Sequence, residues 1–127
     1  MSYLAASPDA YRQGAVLAAT PAQLVVMLYD GARRYLRQAG VAMRAGDIER
    51  THNTLRRAEL ILVHLDATLD FDQGEIAERL HSIYGFCLEH ANRARLAQDA
   101  SKLEEVSELL GELREAWAQV AEQAGPR

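Results

Sequence analysis

Residues 101–124 read SKLEEVSELLGELREAWAQVAEQA. Within them Leu103, Val106, Leu110, Leu113, Trp117, Val120 and Ala124 advance by three and four in strict alternation, which lines them along one stripe of an α-helix. A strand would need period two, and none is present. Ser101 and Glu104 have capping-box spacing, so Asp99 or Ser101 starts the helix, and Gly125-Pro126 ends it.

The same period continues toward the N-terminus. A third helix is expected over about 75–97, with Ile76, Leu80, Ile83, Cys87, Ala91 and Ala94 on one side, after a turn formed by DFDQG at 70–74. A second runs from Ile48 to about Leu69 on Ile48, Leu55, Ala58, Leu62, Leu65 and Leu69. The first covers about Pro21 to Ala45. Thr20 is its N-cap, Pro21 its first residue and Gln23 the far side of a capping box, while Gly46 stops it and Asp47 caps the next. Four helices of similar length joined by short turns must reverse direction each time. The expected fold is all-α, an antiparallel up-down-up-down four-helix bundle over 20–124, preceded by an arm (1–19) that is flexible or caps the bundle.

Composition narrows the function. At 127 residues and 49% hydrophobic, the chain can bury one core and not two. No basic, apolar-cored leader and no apolar run of about 20 residues is visible, so the protein is expected in the cytoplasm without membrane insertion. A net charge of −4 with interleaved Arg, Asp and Glu speaks against nucleic acid as a partner. Cys87 is the only cysteine, which excludes an internal disulfide and any CxxC site; it reads as a small buried residue.

More apolar residues are present than one stripe per helix requires. At 100° per residue, the core stripe of the first helix centres near Leu24, Leu28, Gly31, Tyr35 and Ala39. Val26 then points away from the core, Met27 and Tyr29 lie on opposite flanks, and Asp30 is on the outer face. Leu60 opposes Leu55 and Leu62 in the second helix, and Leu88 and Leu96 are displaced in the third. Such residues are either ordinary scattered surface or, sharing one groove, a docking surface. The arm carries Tyr3, Leu4, Tyr11, Val16 and Leu17 and is broken by Pro8 and Gly14. It either covers the bundle or serves as a handle for a partner. Gly31, about three turns into a helix, loses roughly 1 kcal/mol relative to Ala, so it implies a close approach by a neighbouring helix or by a partner side chain.

Chemistry finds little support. A di-iron bundle needs two Glu-x-x-His motifs that both face the core; the spacing occurs at Glu49–His52 and Glu78–His81, but His81 faces away from its core stripe. No catalytic, cofactor or metal site is expected. A histidine phosphotransfer bundle is the alternative from another class, but His64-Leu65-Asp66-Ala67 lacks a Lys or Gly to hold a phosphoryl group, and His81-Ser82-Ile83 is scarcely better. A generic helical adaptor is the remaining alternative. No phosphate-cradling Gly loop precedes any helix.

The order Tyr11, Val16, Ala19-Thr20-Pro21-x-x-Leu24 and Met27-Leu28-Tyr29-Asp30-Gly31 resembles the opening of the FliS family of flagellin export chaperones. Gly46-Asp47-Ile48-Glu49, Leu69-Asp70, Gly74-Glu75-Ile76-Ala77, Leu80 with Tyr84, Glu104-Glu105-Val106, and Leu113-Arg114 with Trp117 extend the likeness over about 11–120. A single Gly74 stands where the family often has a pair, and the stretch before Tyr11 does not align. The resemblance implies a non-enzymatic, cytoplasmic chaperone without cofactors. It would hold the disordered C-terminal segment of flagellin, prevent premature polymerisation, and hand the cargo to the flagellar type III export gate. Tyr11, Val16, Val26, Met27, Tyr29, Asp30 and Leu60 are the expected contact residues, and an unfilled groove would allow weak self-association of the free protein. Gly31, placed on the core stripe, is then read first as a site of helix approach.

Overall fold

The computed structural model describes residues 19–124. It contains α1 (Pro21–Arg44), α2 (Ile48–Ala67), α3 (Glu75–Ala97) and α4 (Ala100–Ala124), with a 3-10 turn at Phe71–Gln73 and no strand among the described residues. The expected four-helix bundle is the observed one.

Local signals set the helix ends. Thr20 Oγ1 accepts from the Gln23 amide and the Gln23 side chain accepts from the Thr20 amide, closing the capping box ahead of Pro21. Gly46 has φ +75°, which ends α1, and the Asp47 carboxylate caps α2 by accepting from the Arg50 amide. Gly74 sits at φ 75°, ψ −135°, a conformation open to glycine and closed to side chains, and it turns the chain from the 3-10 turn into α3. At α4 the cap is Asp99, which accepts from both the amide and the hydroxyl of Ser101. The bond from the Ser101 hydroxyl holds the Asp99 carboxyl below its ordinary pKa.

Each helix packs on two neighbours, α1 on α2 and α4, and α3 on α2 and α4. Pairs across the seams run in opposite senses, as the antiparallel order requires: Asp30 with Arg114 and Arg44 with Glu104 between α1 and α4, and Asp66 with His81 and Glu59 with Arg95 between α2 and α3. The diagonal is spanned by side chains. Tyr29 of α1 and Tyr84 of α3 are fully buried and bring their hydroxyls to 2.6 Å, each satisfying the other in an otherwise apolar core. Burial raises both phenol pKa values, most strongly that of Tyr84, and pushes the Cys87 thiol up to about 11.

Three expectations about the core need correction. The stripe of α1 is built on Tyr29, Ala32, Leu36, Ala39 and Met43, about a quarter-turn from the expected centre at 100° per residue. Leu24, Leu28 and Tyr35 are only half-buried, on the flank toward α2. A helix seated between two neighbours has an apolar arc much wider than one stripe, and the centre of that arc cannot be told from its edge by periodicity. Ile48 and Ile76, placed in core stripes by register, are 71% and 68% exposed. Both lie in the first turn of their helices, where the bundle has not yet closed around them. Finally, Trp117 is half-buried and Val120 exposed, so the stripe of α4 is fully inside the core only as far as Leu110.

Candidate functional site

The two ends of the bundle differ. Where the C-terminal half of α1 meets the N-terminal half of α4, Leu36, Ala39, Leu103 and Val106 are completely enclosed, and Ala91 and Ala94 let α3 approach closely. At the other end, where α1 begins and α4 finishes, the residues packed on the core are Val25, Leu28, Leu69, Leu113 and Trp117, all only partly covered.

Leu24-Val25-Val26-Met27-Leu28 is responsible for much of this. Five consecutive apolar residues cover the whole circumference of a helix, and two neighbours can bury only part of it. The surplus forms the walls of three depressions around the first turns of α1. The largest, about 680 Å3, lies toward α2 and is lined by Leu24, Val25, Met27, Leu28 and Leu65, with Asp30, Arg34, His64 and Thr68 among its polar residues. A second of about 250 Å3 shares Val25, Leu65 and Thr68 with it and reaches into the bundle end, with Leu80, Tyr84 and Trp117 in its walls. A third of about 400 Å3 lies toward α4, between Val26 and Met27 on one side and Ala118 and Ala121 on the other. Met27 belongs to the first and the third, so the start of α1 is a ridge between two grooves.

These features place the expected contact residues individually. Met27 and Asp30 line the large groove, and Asp30 is held by Arg114, whose Nε donates to Oδ1 at 2.9 Å; that bond raises the arginine pKa. Val26 does not point to open solvent. It is half-buried beside α4 and lines the third groove, because the true core direction of α1 lies closer to it than the expected stripe did. Tyr29 is not on a flank: it is 0% exposed beneath the grooves, and the Trp117 indole and the Tyr84 hydroxyl are its polar neighbours. Leu60 is exposed on α2, as its angle required, and lines none of the three depressions. Tyr11 and Val16 lie outside the described residues. Leu24, Leu28, Tyr84 and Trp117, core positions or points of family likeness by sequence, are groove walls in the structure. The available signal was the unbroken apolar run at 24–28.

A model of the family described as "Flagellar protein FliS" matches residues 4–124. The chain belongs to the FliS family. It is 37% identical over 128 residues to the flagellar secretion chaperone FliS of Salmonella typhimurium, covering 96% of this chain and 95% of that one. Against the FliS proteins of Bacillus subtilis and Campylobacter jejuni the identities are 32% and 33%, over 87% and 88% of this chain and 82% and 88% of theirs. The FliS match begins at residue 4, so the stretch before Tyr11, left unaligned by the motifs, falls within it.

Elsewhere two histidines are engaged with carboxylates. His81 Nδ1 lies 2.6 Å from Asp66 Oδ1 with Phe71 edge-on to its ring, and His90 Nε2 lies 2.5 Å from Glu105 with Phe86 stacked on it. Among the described residues no three His, Cys, Asp or Glu side chains converge as metal ligands, and no helix is long and apolar enough to cross a membrane.

Proposed function

We propose that this protein is a cytoplasmic flagellar secretion chaperone that holds the C-terminal segment of flagellin and keeps it from polymerising before the type III export gate takes it. The observation that carries this reading is the apolar ridge at 24–28 with a groove on each side, on a chain of the FliS family. A segment that is disordered when free can fold into amphipathic helices along such grooves, and the entropy of ordering keeps affinity moderate for the area buried. Moderate affinity suits a cargo that must be released. The function is binding, and no side chain is assigned a chemical step.

Met27, Val26 and Asp30 are the proposed contacts on α1, with Leu60 on the outer side of α2 extending the surface. Tyr29 supports the site from beneath. Tyr11 and Val16 belong to the segment that enters α1 at Thr20, beside Pro21 of the large groove, and are proposed to cover the same apolar surface when cargo is absent. Calorimetric titration with a flagellin C-terminal fragment tests the reading. Met27→Asp should weaken binding at least tenfold while the helical content stays unchanged; a wild-type chain that binds no flagellin from its own organism removes it.

A further inference from the structure

The charge of the bundle is divided between its two faces. In α1 and α2 seven arginines stand against four carboxylates, a balance of +3, whereas in α3 and α4 five Lys and Arg stand against nine carboxylates, a balance of −4. The carboxylates of the basic half are largely committed: Asp30 to Arg114, Glu59 to Arg95 and Asp66 to His81. Among the described residues Arg34, Arg37, Arg50, Arg56 and Arg57 have no carboxylate within ion-pairing distance.

Two of these arginines are placed by a ring. The guanidinium carbon of Arg34 is 5.5 Å from the centroid of Tyr35, and that of Arg57 is 5.8 Å from the same centroid across the α1–α2 seam. A cation–π contact at a half-buried ring is weak and leaves each guanidinium without a counter-charge. Arg34 also lines the 680 Å3 groove, on the side away from Pro21. Its one acidic neighbour a helical turn away, Asp30, is turned toward α4. Arg57 has Asn53, Thr54, Leu60 and Ile61 at the same spacings, none of them acidic.

We infer that Arg34 and Arg57, set over Tyr35, form the acid-recognising end of the α1–α2 groove, so that the segment held there is an amphipathic helix that places a carboxylate beside them. This rests on the chaperone reading above and adds a specificity rule to it: apolar residues fill the groove past Leu24 and Leu28, and an acidic residue follows about one or two turns further along. Planar guanidinium groups suit this role because they bind a carboxylate in bidentate fashion. The pair also fixes direction, since an inverted helix would bring its acidic end to the apolar walls around Pro21 and Leu24.

The test is titration of the full chain and of its R34Q/R57Q variant with the flagellin C-terminal fragment, at about 50 and about 300 mM salt. The wild type should weaken severalfold between the two conditions. The variant, with an unchanged melting temperature, should bind about five- to tenfold more weakly at low salt and lose most of the salt dependence. Replacing the acidic residues of the fragment one at a time should identify one whose loss weakens wild-type binding and has little further effect on the variant. Equal affinity of variant and wild type overturns the inference while leaving the chaperone reading intact. A wild type that binds no fragment overturns both. If instead R34Q/R57Q abolishes self-association of the free protein and leaves the fragment's affinity unchanged, the acidic partner is the α3–α4 face of a second copy and the assignment to cargo is wrong.

Discussion

One end of this bundle is packed as a small protein core should be, and the other is not. At the closed end the contacts are Leu36, Ala39, Leu55, Ala58, Ala91, Ala94 and Leu103, every one of them at or below 1% exposure. Small alanines alternate with leucines, so the helices approach closely in the core, and the depression of about 300 Å3 between Val41 and Glu104 stays on the outside of the α1–α4 seam. At the open end the residues are as apolar, but Leu24, Val25, Leu28, Leu69 and Trp117 are each half-covered. Apolar composition is therefore no guide to burial here. What differs is geometry: the closed end has four facing helices, whereas at the open end α1 begins with an apolar surface facing in every direction. Surface left uncovered on the core-facing side is available for a partner, and stability must come from the end whose core-facing residues are fully enclosed, even though Val41, Ile48 and Leu96 stand exposed on its outside.

The largest expected effect follows from that division. Leu103→Ala, at the closed end, should destabilise by about 3 kcal/mol, because a completely enclosed leucine leaves a cavity that rigid neighbours cannot fill. Trp117→Ala removes a far larger side chain from the open end, yet the loss should be smaller, about 2 kcal/mol, since the indole is half-exposed whereas Leu103 is 1% exposed. Urea unfolding of the two variants decides it. If Trp117→Ala proves the more damaging, the open end carries more of the fold than its exposure implies.

Between the ends lies the Tyr29–Tyr84 bridge. Tyr29→Phe leaves the Tyr84 hydroxyl buried without its partner and should cost about 1.5 kcal/mol, and the Tyr29→Phe/Tyr84→Phe double variant should lose less than the two singles summed. Alkaline pH provides a second readout. Both phenols and the Cys87 thiol have folded pKa values above their ordinary ones, so the stability they contribute is complete below the ordinary values of 10.0 and 9.0. Above those values the unfolded chain ionises first, and stability should fall as pH rises. The urea midpoint should decline from pH ~9 upward in the wild type, with a shallower decline once both tyrosines are phenylalanine. A midpoint that is flat in the wild type would mean that the pair is not shielded from water as its burial indicates.

The helices were legible because each depends on local chemistry: the Thr20–Gln23 box, Asp47 after Gly46, and the turn ending at Gly74 are all short-range signals. The bundle followed from their number and the short connections. Rotation of α1 was not legible. Its apolar arc spans the contacts with both α2 and α4, and a one-dimensional pattern gives the arc without its centre, which is why Tyr29 was expected outside the core and Leu28 within it. The grooves were half legible, as an excess of apolar residues without positions. Leu60 was placed correctly as outward-facing, but outward exposure alone did not put it in a groove. The Tyr29–Tyr84 contact joins residues 55 apart on diagonal helices, which no local pattern encodes.

The smallest effects are expected at two glycines, and they separate the seams of α1. On the α4 side, a Cβ at Gly111 would lie 3.0 Å from the guanidinium of Arg33, whose Nε donates to Ser107 O at 3.0 Å. The guanidinium lies against α4 at this point, so Gly111→Ala must displace it. The better helix propensity of alanine, worth up to about 1 kcal/mol, offsets part of that loss. A net destabilisation of about 0.5–1 kcal/mol is expected, with the Arg33 bond to Ser107 O weakened by the shift. On the α2 side, a Cβ at Gly31 would meet Ile61 Cδ1 at 3.4 Å, an ordinary contact that a small shift of one flexible methyl relieves. Gly31 is buried and faces α2, so helix approach accounts for its position, but the approach is loose enough to admit a methyl group. Gly31→Ala should therefore change stability by less than about 0.5 kcal/mol, more often upward, because the propensity gain meets little opposition. Thermal melts of the two variants side by side should show opposite signs. A clear loss at Gly31 would mean that Ile61 cannot yield, and that the α1–α2 seam beside the large groove is as tightly fixed as the closed end.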